Sequence, residues 1–138
     1  MTGVQTCALP ILVTKNPNAI LLQTHATDKY ALAAEMNAFY QHKLAINTWG
    51  GPLNILECNP KGVNKAFALQ YLLNILNVDR QNLIAFGDEQ NDTEMLEFAG
   101  TGYAMKNANE TLLPFADQQL KLTNDQDGVA HELNNLFL

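Results

Sequence analysis

The segment "NLIAFGDEQNDTEMLEFAGTGYAM", Asn82 to Met105, decides the fold. "NLIAF" is a short unbroken apolar run, the pattern of a strand buried on both faces. "DTEMLEFAG" reads as a short helix closed by Gly100. "TGYAM" reads as the next strand. Working outward, the alternation continues. "NETLLPFA" reads as a short helix, "QLKLT" as a strand and "GVAHELNNLF" as a final helix. Upstream, "NKAFALQYLLNILN" places Ala66, Leu69, Leu72, Leu73 and Leu76 on one helical face. Strands separated by helices predict an α/β fold, a Rossmann-like parallel sheet covered on both faces.

Before the breaker cluster Asn59-Pro60-Lys61-Gly62 the texture is different. "AILLQT" (Ala19 to Thr24) predicts a short buried strand. Leu32, Met36, Phe39 and Tyr40 then recur at helical spacing. "LAINTW" alternates as a strand, Gly50-Gly51-Pro52 makes a turn, and "PLNILEC" predicts another strand. This is a small strand–helix–strand–strand unit, and the cluster at 59–62 is its expected boundary with the parallel sheet.

Composition narrows the function. The chain has 138 residues, 47% of them hydrophobic, enough to build a core, and a formal net charge of −6. That charge argues against nucleic acid or an anionic membrane as the main partner, and no apolar run reaches spanning length. Cys7 and Cys58 have neither zinc-ligand nor disulfide-framework spacing, so both read as reduced thiols in a cytoplasmic setting. His25, His42 and His131 show no metal-ligand spacing and read as surface residues. The opening "MTGVQTCALPI" lacks the basic start of a signal peptide. It resembles a translated sequencing adapter, with a first strand "ALPILV" as the alternative. Residues 1–12 are therefore expected to be a non-native tail.

The acidic cluster after "NLIAF" is the candidate site. In an open parallel sheet, ligands sit outside the carboxyl ends of the strands. Asp88 falls just past such an end, after a glycine that permits a sharp turn. Asp92 opens the next helix, and Glu89 lies between them. Carboxylates converging there suit Mg²⁺, which takes one or two of them and keeps room for waters and phosphate oxygens. The same residues also read as a helix start, with Asn91 as N-cap and Glu94 as its capping-box partner. A calcium loop is a poor alternative, because Thr93 and Gly100 stand where that loop needs Gly and Glu. Lys65 falls in the first turn of a helix, where a cation opposes the macrodipole. Ammonium and helix N-terminus together suggest an anion between them, and a solvated surface lysine is the equal alternative.

"GVNKAFAL", "IAFGDEQNDTEML", "GYAMKNANETLLPFA" and "NDQDGVAHEL" together resemble the C-terminal half of a Cof-like phosphatase of the haloacid dehalogenase superfamily. The resemblance covers about Ala19 to Leu138 and is sharpest from Gly62 onward. It implies hydrolysis of small phosphate monoesters, sugar phosphates among them, with Mg²⁺ and through an aspartyl-phosphate. It assigns Lys65 to screening of nucleophile and phosphate, and Asp88 to the metal with Glu89 assisting. Asn91 matches a substrate contact and Asp92 the second acid of the metal loop. Residues 13–59 would be the last part of an α/β cap domain and residues 60–138 the last part of the core. Trp49, on the cap segment, reads as a packed indole or a substrate-stacking ring.

The resemblance also implies an Asp-x-Asp-Gly-Thr strand end that supplies the nucleophile and the general acid. Nothing before Lys65 provides it, and Asp28 sits at a helix start. Asp125-x-Asp127-Gly128 mimics it at the wrong end of the chain, where Asp127-Gly128 reads as a turn. The family's Ser/Thr phosphate-binding strand end is absent too. The chain is thus expected to be a fragment without phosphatase turnover of its own.

Overall fold

In the computed structural model of the chain, residues 17–49 and 51–138 are described. The adapter-like stretch, "ALPILV", Cys7 and Gly50 lie outside them. Two three-stranded sheets carry the described residues, one antiparallel and one parallel.

The first unit is β1 (Ile20–Gln23), α1 (Lys29–Tyr40), β2 (Leu44–Thr48) and β3 (Ile55–Pro60). Its order is β1-β3-β2, with β3 antiparallel to both neighbours. Asp28 caps α1, accepting hydrogen bonds from Tyr30 and Ala31 N–H at 2.9 and 3.0 Å. Ala33, Ile46, Leu56 and Cys58 form the core, with Leu32, Met36 and Leu44 against it. Burial pushes the Cys58 thiol up from its ordinary pKa, and the charge of Glu57 adds to this. The three carbonyls of Trp49, Gly51 and Leu53 accept from the Lys29 ammonium, at 2.7, 2.8 and 3.0 Å, closing the β2–β3 turn. Trp49 is part-exposed, and its indole N–H donates to Glu57 at 3.3 Å.

Two expectations for this unit change. β1 is exposed along its length, although its sequence reads as buried, because among the described residues it is an edge strand, and α1 packs on β2 and β3. β3 starts at Ile55 and continues through Asn59 and Pro60, pairing Leu44 with Pro60. The turn that follows β3 falls at Lys61-Gly62, where Gly62 takes φ 85°.

The second unit is α2 (Lys65–Leu76), β4 (Ile84–Gly87), α3 (Thr93–Phe98), β5 (Thr101–Ala104), β6 (Gln118–Gln119) and α4 (Gly128–Phe137). Its sheet, β4-β5-β6, is parallel throughout, as the alternation requires. One face buries Ala85 with Leu96 and Leu112. The other buries Tyr103, Met105 and Leu120, packed by Ile84, Phe86 and Val129. Phe86 and Tyr103, partners in register, stack with centroids 5.2 Å apart.

The connections are tighter than the sequence suggests. "NETLLPFA" yields only a 3-10 turn at Leu113–Phe115, with Pro114 limiting it, and "QLKLT" pairs over two residues. Leu69 and Leu73 of α2 face inward, whereas Leu72 and Leu76 stand about half exposed. Among the described residues, no helix is long and apolar enough to cross a membrane.

Candidate active site

Three loops leave the carboxyl ends of β4, β5 and β6: residues 88–92, 105–111 and 120–127. Hydrogen bonds tie them together. Asn109 N–H donates to the Asp88 carbonyl at 2.8 Å. The Gln90 amide donates to the Thr111 hydroxyl at 2.9 Å, and the Asn109 amide to Glu89 Oε2 at 3.4 Å. Asn124 N–H donates to Asn107 Oδ1 at 3.3 Å.

Asp92 is the hub of the first loop. It is 3% exposed. Its Oδ2 accepts from Asp88 and Glu89 N–H at 3.0 and 3.2 Å, which folds the loop back over the end of β4. Its Oδ1 pairs with Lys65 Nζ, which reaches across from the first residue of α2. Lys65 also lies 3.5 Å from Asn91 Oδ1. Gly87 makes this geometry possible: a Cβ there would stand 2.6 Å from the Asp92 Cβ.

The anion that the Lys65 position asks for is thus the Asp92 carboxylate. Helix capping is shared differently from the expectation. Glu89 and Asp92, rather than Asn91 and Glu94, form the reciprocal capping box around a 3-10 turn at Gln90–Asp92. This frees the Asn91 side chain to face Lys65.

Asp88 behaves differently from Asp92. It is exposed, its carboxylate accepts no hydrogen bond from the described residues, and it lines an open cavity of about 530 Å³. Phe86, Met105, Val129 and Leu133 form the apolar floor, and Asn124 and Asp127 stand opposite. Asp127 has the turn role read from the sequence: it takes φ 55° and links a 3-10 turn to α4.

The structure therefore brings Lys65, Asn91 and Asp92 together, and sets Asp88 beside them facing outward. Asp88, Glu89 and Asp92 do not converge. Among the described residues, no three His, Cys, Asp or Glu side chains form a metal-sized group. The sequence reading missed Asn109, which holds the Asp88 carbonyl and the Glu89 carboxylate from the β5 side. Its signal is faint, an Asn-x-Thr turn after a strand.

Residues 9–133 match the family described as haloacid dehalogenase-like hydrolase. The chain belongs to that family. It is 35% identical over 119 residues to the 5-amino-6-(5-phospho-D-ribitylamino)uracil phosphatase YitU of Bacillus subtilis, covering 86% of this chain and 44% of the relative. It is 37% identical over 98 residues to phosphatase YwpJ of the same organism, covering 71% and 34%. A haloacid dehalogenase-like hydrolase from Bacteroides thetaiotaomicron superposes with a TM-score of 0.69 at 36% identity, covering 87% of this chain and 44% of that one. Another from B. subtilis gives 0.74 at 30% identity, covering 91% and 44%. This haloacid dehalogenase-like chain thus spans less than half the length of these four proteins, and the two named relatives among them are phosphatases.

Proposed function

We propose that the chain supplies the lysine and acidic-loop wall of a Mg²⁺-dependent phosphatase for small phosphate monoesters, sugar phosphates among them. The observation that carries the reading is the pairing of Lys65 with buried Asp92 beside exposed Asp88, at the carboxyl end of a parallel sheet. Asp88 fits Mg²⁺, since this ion needs only one or two carboxylates and keeps its other positions for water and phosphate. Bound there, Mg²⁺ would neutralise phosphoryl charge.

The residues of the chain then divide the work. Asp92, with both oxygens engaged, positions rather than ligates: it shapes the loop that presents Asp88 and steers the ammonium. Glu89 supports the loop through the capping box. Lys65 and Asn91 face the phosphate, one as cation and one as amide donor. The attacking carboxylate comes from outside the described residues and forms an aspartyl-phosphate as the ester oxygen leaves with a proton. Water then cleaves the acyl phosphate. Without that carboxylate the 138-residue chain has no turnover.

A covalent chimera tests this. Residues 60–138 would replace the matching part of the B. subtilis YitU phosphatase. Phosphate release from p-nitrophenyl phosphate is expected with Mg²⁺, and a fall of at least about 100-fold on Lys65→Ala or Asp88→Ala. Release unaffected by both changes would exclude the assignment.

A further inference from the structure

The segment "MKNANETL", Met105 to Leu112, follows β5 as a strap with both ends anchored in the core. Met105 and Leu112 are buried. Met105 N–H donates to the Gly87 carbonyl at 2.9 Å, and Leu112 N–H to the Asn109 carbonyl at 2.9 Å. Between the anchors stand Asn109 and Thr111, short polar side chains of the kind that bond neighbouring groups instead of water. Asn109 Oδ1 accepts from Thr111 N–H at 3.1 Å and from the Thr111 hydroxyl at 2.8 Å. A hydroxyl has one proton to give and two lone pairs. With its proton on Asn109, the Thr111 hydroxyl accepts from the Gln90 amide at 2.9 Å. Asn109 Nδ2 in turn donates to Glu89 Oε2 at 3.4 Å. Glu89 and Gln90 are chain neighbours, so the four side chains close a ring in which every donor meets an acceptor.

The ring acts on Asp88. Asn109 N–H donates to the Asp88 carbonyl at 2.8 Å, and Asp88 N–H donates to Asp92 Oδ2 at 3.0 Å. Both backbone groups of Asp88 are held, one by each loop, while its side chain is exposed. The ring does little for the core. Gln90 and Thr111 are exposed, and hydrogen bonds there exchange with water and add little to global stability.

We propose that Asn109 and Thr111 are positioning residues, which fix the Asp88 peptide so that its carboxylate meets a divalent cation on a loop already ordered. A ligand on a fixed backbone loses less conformational freedom when the cation arrives. The inference rests on the proposed function, in which Asp88 takes Mg²⁺.

Millimolar Mn²⁺ added to the 138-residue chain tests it, because Mn²⁺ favours the same oxygen ligands as Mg²⁺ and broadens nearby amide signals. Broadening at the Asp88 amide is expected in the parent and not in Asp88→Asn. Asn109→Ala and Thr111→Val should each weaken this binding about tenfold. Both should also speed amide exchange at positions 88 and 109 at least tenfold, with the urea midpoint close to the parent's. Thr111→Ser restores the hydroxyl and should match the parent in binding and exchange. Unchanged exchange, faster exchange with unchanged Mn²⁺ binding, or a Thr111→Ser that behaves as Thr111→Val would each overturn the proposal. No broadening at Asp88 in the parent would reject the metal reading of the proposed function. Exchange would then decide the ring by itself, faster rates in Asn109→Ala and Thr111→Val upholding it and equal rates striking it.

Discussion

Asp92 shows what a residue position in sequence can and cannot disclose. Four residues after Asp88, a carboxylate can converge with its neighbour on a metal. The same spacing lets it fold back onto the N–H groups of Asp88 and Glu89, and this is what it does. The discriminating signal is Gly87, the one residue type that leaves Asp92 room. Gly87→Ala should therefore destabilise the chain by about 1–3 kcal/mol through overpacking, read as a lower midpoint in urea. An unchanged midpoint would mean that the loop moves aside freely. Asp92→Ala should cost more than Lys65→Ala, because it strands two backbone N–H groups whereas Lys65 is half exposed. Equal losses in a double-mutant comparison would contradict that order. Cys58 is the other informative residue. Its pKa is raised by burial from 9.0, so the folded thiol keeps its proton where the unfolded one ionises. Stability is then fully present below about pH 9 and declines as the pH rises through the folded value. Labelling at Cys58, followed by peptide mass, should be slow at pH 8 and should accelerate in urea. Equal rates in both would place the thiol at the surface.

At the scale of elements, periodicity located the helices and strands, because unbroken apolar runs and helical spacing record burial directly. It failed where burial depends on a neighbour the segment cannot name. β1 reads as buried and is exposed at an edge. β6 pairs for two residues because the chain turns away after Gln119. The β2–β3 turn was legible from Gly50-Gly51-Pro52, but not what holds it. That is Lys29, from α1, whose buried ammonium satisfies three carbonyls. No local pattern foretells such a tie across more than twenty positions. Lys29→Met keeps the stem and removes the donor. It should cost about 2–4 kcal/mol and loosen the amides of β2 and β3 in hydrogen exchange. Lys29→Arg should not rescue it, since a planar guanidinium cannot aim three donors at one converging set. Full stability in either variant would show that water can replace the ammonium.

For the whole molecule, the fold class was legible because alternation of strand and helix admits few arrangements. No strand end before Lys65 carries the Asp-x-Asp that the proposed function requires, and that much is legible in the sequence. What the sequence concealed is which apolar residues remain uncovered. Leu72 and Leu73 are adjacent and chemically alike, yet one is half exposed and the other buried. This has a measurable consequence for the chain alone. Ile75 and Leu76 lie on the uncovered side of α2, so glutamate at both positions removes few packed contacts. Glutamate is about as good a helix former as leucine, and the change in intrinsic propensity is only a few tenths of a kcal/mol. The same change breaks an exposed apolar patch, the feature that drives non-specific association. The double variant should therefore unfold within about 0.5 kcal/mol of the parent in urea, while its light scattering at high concentration falls. A loss above about 2 kcal/mol would show that the stripe is packed within this chain.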